Sequence, residues 1–333
     1  MMLKKTIFIL TLFSGNVIAA TVELGFENEQ YNYAYRSADV FMPYIKSNFN
    51  PVTDSALNVS LTYMYQDQYG KKHKKTSEDR FKTNRDRIEL YLKGYTLNRG
   101  AYSFSPSAGF RYESWDVNYD NPKKQDKWKL ELRFYPNMTY KLNDQLSLYM
   151  NGFVAPVFFK TQQESRKDNN YVKGKLGAKR YNNDYYQELQ ILGVRYKFNN
   201  DNTLWASVYN ERKYNQHSSK YDRWQLRGGY DFKVTEEFVL SPFIRYDLSY
   251  REKNLESTSN NGLSKNNKEI RTGASFSYKI IPSVKLVGEI YRQTTNIENY
   301  YGEHSEDKNR MFYKLGINLS LIHISEPTRL QLI

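Results

Sequence analysis

Apolar and polar positions alternate with a period of two along nearly the whole chain. Trp224, Leu226, Gly228, Tyr230 and Phe232 alternate with Arg223, Gln225, Arg227, Gly229 and Asp231. After a polar break at Val234–Glu237 the pattern restarts. Phe238, Leu240, Pro242, Ile244, Tyr246, Leu248 and Tyr250 fall on one face, and Ser241, Arg245, Asp247, Ser249 and Arg251 on the other. Successive side chains leave a β-strand on opposite sides, so this stretch predicts a hairpin. Fourteen such strands are predicted, near 21–34, 39–49, 56–66, 86–97, 101–116, 126–142, 144–160, 185–199, 202–214, 221–234, 238–251, 268–281, 283–296 and 307–320. The alternation is weakest in the second, where Pro43 interrupts Phe41 to Phe49.

A soluble sandwich would also alternate. Runs of more than about ten residues, aromatics near their ends and the repetition of the hairpin instead predict an all-β chain: one transmembrane antiparallel β-barrel. Asn50–Asp54, Asn98–Gly100, Lys141–Asp144, Asn199–Asn202, Thr235–Glu237 and Ile281–Pro282 predict short turns. Tyr69–Arg85, Thr161–Asn183 and Glu252–Lys268 are charged and predict long loops at the other end. An even strand number puts both termini on the periplasmic side, with the long loops extracellular.

Residues 1–20 read as a signal peptide, with Lys4 and Lys5 ahead of an apolar run and small residues at Ala19 and Ala20. No later run reaches the twenty or so apolar residues of a spanning helix. An exported chain without such a helix spans a membrane only as a closed barrel, which places it in a Gram-negative-type outer membrane. The barrel is assigned to 21–320. Residues 319–333 include Leu319–Arg329, which resembles the translation of a sequencing-library adapter, so the native strand is expected to end near Asn318.

Composition sharpens this picture. Mean hydropathy is −0.79, a value compatible with a barrel because only alternate positions need be apolar. The chain has 31 Tyr and 18 Phe, suited to interfacial girdles, and no cysteine. The formal charge of +13 favours anionic contacts. The bases are spread over every strand rather than clustered on a nucleic-acid-binding fold, so no nucleic-acid partner is expected.

The segments Trp128–Phe153, containing Lys141-Leu142-Asn143-Asp144-Gln145-Leu146, and Leu192-Gly193-Val194-Arg195-Tyr196-Lys197-Phe198 through Asn210-Glu211-Arg212 resemble the outer membrane protein G porin family. Ser241-Pro242-Phe243-Ile244-Arg245 and Tyr313–Asn318 do so too. The resemblance implies a monomeric fourteen-stranded pore passing sugars and other small hydrophilic solutes, without a cofactor. A more distant similarity is to the oligogalacturonate-specific porins, which are twelve-stranded and basic inside. In outer membrane protein G, paired histidines on late strands are implicated in closure at low pH. Here only His73, His217, His304 and His323 are present, outside the predicted strands that would carry the pair.

With the apolar face in lipid, the other face lines the lumen. It is expected to carry Arg87, Lys93, Arg111, Arg133, Arg195, Arg223, Arg227, Arg245 and Arg271, with Lys127, Lys129 and Arg251, against Glu89, Glu113, Glu131, Glu211, Asp231 and Asp247. A surplus of bases predicts mild anion preference. Tyr91, Tyr149 and Tyr209 are candidate stacking platforms for sugars. Many of the charges could equally be paired across strands. Two other classes compete. An outer-membrane hydrolase would need a Ser–His pair, for which His217 with Ser218 and Ser219 is the one superficial fit, in a polar loop. An adhesin or receptor barrel would act through loops such as Gly70-Lys71-Lys72-His73-Lys74-Lys75. No metal or catalytic residues are assigned. The expected partners are outer-membrane lipids, lipopolysaccharide included, and small solutes.

Overall fold

The computed structural model describes residues 20–33, 36–52, 55–73, 78–119, 123–167, 170–199, 201–216, 218–255 and 261–321. The expected leader, His217, Lys74–Lys75 of the basic segment, and the end of the chain with His323 lie outside them. The alternating segments all form strands. They are β1 (Ala20–Tyr33), β2 (Arg36–Phe49), β3 (Asn58–His73), β4 (Glu78–Lys93), β5 (Leu97–Arg99), β6 (Tyr102–Tyr119), β7 (Lys123–Lys141) and β8 (Leu146–Lys167). There follow β9 (Asn170–Lys197), β10 (Thr203–Tyr214), β11 (Ser219–Lys233), β12 (Phe238–Asn254), β13 (Ser264–Ile281), β14 (Val284–Glu298) and β15 (His304–Ser320).

Each strand pairs antiparallel with the next, and β1 also pairs with β15, so the sheet closes on itself. The three-residue β5 continues β4. Both pair with β6, and the register moves by one residue between Lys93↔Ser107 and Leu97↔Phe104. Among the described residues the molecule is therefore a closed antiparallel barrel of fourteen staves. Closure removes the free sheet edges that lipid could not solvate. Pro43 lies within β2: pairing with β3 lapses at Met42 and Pro43, yet Phe41↔Asp67 and Tyr44↔Met64 keep one register. Leu319 and Ser320 belong to β15 and pair with Val22 and Thr21.

The start of β1, the end of β15 and the connections β2–β3, β4–β6, β7–β8, β9–β10, β11–β12 and β13–β14 lie at one rim. The opposite rim differs from expectation. The charged segments 69–85 and 161–183 are mostly ladder rather than loop: β3 and β4 pair out to His73↔Glu78, and β8 and β9 out to Lys167↔Asn170. A strand standing clear of lipid needs no apolar face, because its backbone hydrogen bonds are met by its neighbour.

The outer face reverses the usual distribution of exposure. Leu24, Ile88, Leu132, Phe134, Leu148, Leu204, Leu226, Ile244, Ile270, Ile290, Leu315 and Ile317 are all exposed. They form a continuous apolar belt of the kind a bilayer solvates. Inside, large rings lie flat on glycines of the neighbouring stave. A Cβ on Gly193 would stand 2.5 Å from the Tyr149 ring, and one on Gly229 2.5 Å from the Trp205 ring. Only glycine allows these approaches.

Two bulges set which side chains face inward. On β9 Leu192, at φ 54°, is the extra residue, and the pairing shifts from Val194↔Ala206 to Ile191↔Val208. On β12 the extra residue is Leu248: Gln225 faces Asp247, but Trp224 faces Ser249. Beyond it the alternation inverts. Tyr250, expected outside, packs inside against Tyr221 with ring centroids 5.3 Å apart. Arg251, expected in the lumen, pairs with Asp222 on the outer face.

Candidate functional site

The inner wall is the site, and its charges fall into two networks. The first lies on β4, β6 and β7. Glu113 accepts from Arg85 at 3.1 Å, Arg87 at 2.8 Å and Lys129 at 2.8 Å. Lys129 also reaches Glu131 at 2.6 Å, and Arg133 reaches Glu131 at 2.5 Å. Arg111 pairs with Glu89 at 2.6 Å. The second network spans β10 to β14. Arg223 contacts Asp247 at 2.7 Å, Glu269 at 2.6 Å and Glu211 at 3.5 Å. Gln225 donates to the same Asp247 oxygen at 2.7 Å, and Gln293 donates to Glu269 at 2.7 Å.

In each network the most deeply buried acid lies against the wall with a more exposed base over it. The Glu113 side chain is 2% exposed where Lys129 beside it is 27% exposed; Asp247 is 0% exposed under an Arg223 at 12%. Water in the lumen therefore meets cations before it meets carboxylates. Counting residues cannot reveal that layering, and it makes the surface field more positive than the composition implies.

Beside the second network, on β11 to β13, runs an arginine row. Arg227 is directly opposite Arg245, and Arg245 directly opposite Arg271. Their outward neighbours Leu226, Ile244 and Ile270 lie in the apolar belt, so the row is at membrane depth. Arg227 donates to Gln225 at 2.7 Å and stacks over Tyr209, 3.1 Å from the centroid. Arg271 donates to Gln293 at 2.6 Å and touches Glu269 only at 3.5 Å. Arg245 makes no ion pair and no hydrogen bond among the described residues; it leans on Phe243, 5.1 Å from the centroid. Like charges directly opposite on neighbouring strands destabilise a sheet, so this row works against folding.

Seventeen of the eighteen charged positions expected in the lumen lie on the inner face; Arg251 does not. Arg87, Arg111, Arg133, Arg223 and Arg271 are engaged by Glu89, Glu113, Glu131, Glu211, Asp247 and, unforeseen, Glu269. Lys93, Arg195, Arg227, Arg245 and Asp231 form no ion pair among the described residues. Two of the three expected sugar platforms are closed. Tyr209 is 3% exposed beneath Arg227, and Tyr149 is 8% exposed, packed on Gly193 with Arg195 5.1 Å from its ring. Tyr91 is tied to Arg133 at 3.2 Å and set edge-on to Tyr135.

A different aromatic surface lines a lumenal niche of about 350 Å³ toward the rim away from the start of β1. Trp115, Tyr186 and Tyr221 stand there beside Lys127, Lys213 and Arg85. Lys127 lies 5.2 Å over the Trp115 ring, and Lys213 5.9 Å over Tyr221. Neither lysine forms an ion pair among the described residues. The sequence signal for this niche was Trp115 and Lys127 at inward positions of neighbouring strands, but Tyr186 lies beyond the β9 bulge and could not be assigned. His304, expected outside the strands, opens β15 at the same rim, with its Nδ1 3.1 Å from Asn296 Nδ2.

No family model and no curated protein sequence matches the chain. Solved structures do. The CymD monoaromatic hydrocarbon channel aligns with a TM-score of 0.54 at 10% identity, over 91% of this chain and 88% of that one. The Pseudomonas putida toluene transporter TodX gives 0.51 at 9% identity, over 93% and 90%. A Pseudomonas aeruginosa FadL homologue gives 0.50 at 11% identity, over 91% and 90%. At these identities the likeness is one of barrel fold.

Proposed function

We propose that this chain is a passive channel of a Gram-negative-type outer membrane, open to small hydrophilic solutes, sugars among them, and preferring anions. The observation that carries this is the layered charge of the inner wall, capped at membrane depth by the Arg227–Arg245–Arg271 row. A fixed row of under-neutralised guanidiniums lowers the energy of an anion in the pore and raises that of a cation. Exchange between adjacent arginines lets the anion move on rather than bind. No bond is made or broken; solutes follow their gradient. The fourteen staves, closed by β1 on β15 within one chain, support the resemblance to outer membrane protein G and a monomeric pore. The hydrocarbon channels share the barrel, but here charge occupies the depth at which a hydrocarbon would need an apolar path.

A second reading is favoured by the niche at Trp115, Tyr186 and Tyr221. Aromatic faces beside unpaired ammonium groups suit an acidic oligosaccharide, its rings stacked and its carboxylates on Lys127 and Lys213.

Single-channel recording under a salt gradient tests both. The expected result is large openings with an anion-signed reversal potential, moved toward zero by Arg227→Ala with Arg245→Ala. Large openings without selectivity would remove the anion preference, and folded protein without conductance would remove the channel. Block by oligogalacturonate, relieved in Lys127→Gln with Lys213→Gln, would promote the second reading over the first.

A further inference from the structure

The β12 bulge has an effect outside the barrel. Past Leu248 it turns Arg251 and Lys253 to the outer face, where two rows cross the staves. One is Arg212–Asp222–Arg251–Asn266, and the next is Tyr214–Lys220–Lys253–Ser264. Together they hold four cations and one carboxylate. Asp222 is engaged by Arg212 at 3.3 Å. Lys220, Arg251 and Lys253 form no ion pair among the described residues, and Lys220 sits directly opposite Lys253. These residues border a groove of about 560 Å³ at this rim, which Tyr185, Gly262 and the inward-facing Lys213 and Tyr221 also line.

Position along the staves identifies the occupant. Below the basic rows come Trp224 and the exposed Leu248, and below those Leu226, Tyr246 and Ile270 of the apolar belt. Arg251 is three residues beyond Leu248, roughly 10 Å along a strand. That order, from acyl-compatible wall through an interfacial tryptophan to a cationic cluster, reproduces the polarity profile of an anionic lipid. Nothing in the lumen requires these side chains, and among the described residues of these two rows only Asp222 offsets their mutual repulsion. We infer that Arg212, Lys220, Arg251 and Lys253 form a docking site for the phosphate headgroup of a membrane lipid whose acyl chains lie on the belt below. The inference rests on the barrel's membrane placement and is independent of what the lumen passes.

Native mass spectrometry of the full barrel, folded in neutral detergent and titrated with diphosphorylated lipid A, tests it. The expected outcome is a retained lipid adduct, about 30-fold weaker for Arg251→Gln with Lys253→Gln, since each basic group near an anionic headgroup contributes roughly one order of magnitude or less. Dephosphorylated lipid A should bind poorly, and excess inorganic phosphate should not displace the adduct. Equal lipid retention by the double variant would overturn the site. Displacement by free phosphate would overturn the lipid as its ligand. Arg227→Gln with Arg245→Gln should shift selectivity and leave lipid binding untouched, so failure here and failure of the channel are read separately. Heat-modifiable gel mobility confirms that each variant has folded.

Discussion

Arg245 and Arg223 are both inward arginines on adjacent strands, yet their consequences should differ in sign. Arg223 touches three carboxylates, two of them at 2.6–2.7 Å. Arg223→Ala would leave Asp247 buried without a counter-charge and Glu269 with only Arg271 at 3.5 Å, and breaking such a pair costs about 3–5 kcal/mol. Arg245 has two arginines opposite it and no ion-paired acid among the described residues, so Arg245→Ala should leave the unfolding free energy unchanged or slightly raised while reducing anion preference. Urea unfolding from lipid vesicles, followed by tryptophan fluorescence, measures both. A large loss of stability in Arg245→Ala would show that the row is structural and would remove its role in the pore. A residue that weakens folding where it stands, with no partner, is the strongest sign of function the inner wall offers.

The bulges decide more than any strand does. Simple alternation through β12 assigns Tyr250 to lipid and Arg251 to the lumen; the two-for-one pairing at Leu248 assigns the reverse. The chain has no cysteine, so single cysteines can be placed at will. A fluorophore on Arg251→Cys should respond to a headgroup-borne spin label, and one on Tyr250→Cys should not. The opposite pattern would mean that β12 runs unbulged and that the outer basic rows do not exist. The Leu192 bulge acts likewise on β9, bringing Glu188, Tyr186 and Asp184 to the inside and so completing the niche beside Trp115.

For the whole molecule, selectivity depends on fixed charges acting across water, and salt screens them. The Debye length falls from about 10 Å at 0.1 M to about 3 Å at 1 M. Conductance should therefore rise with salt while the anion-to-cation permeability ratio falls toward one. A ratio independent of salt would point to a desolvated binding site rather than a field. The buried acids should keep their partners throughout, because pairs at 2.5–2.8 Å with little exposed surface are screened far less. The barrel itself is then expected to be insensitive to the salt that silences its selectivity.

Local periodicity was enough to define the barrel. Period-two alternation is a property of each segment alone, so fourteen strands, the outward Leu226 and Ile244 and the inward Arg227 and Arg245 could all be read from residue order. Register is a relation between segments, and nothing in one segment reports it. Hence the direct opposition of Arg227, Arg245 and Arg271, the layering of Glu113 beneath Lys129 and Arg87, and the inversion after Leu248 emerged only with the strands in place. The ladders beyond the belt were missed for a related reason. Segments 161–183 carry no apolar stripe, and it is the partner strand's backbone, rather than their own side chains, that makes them β.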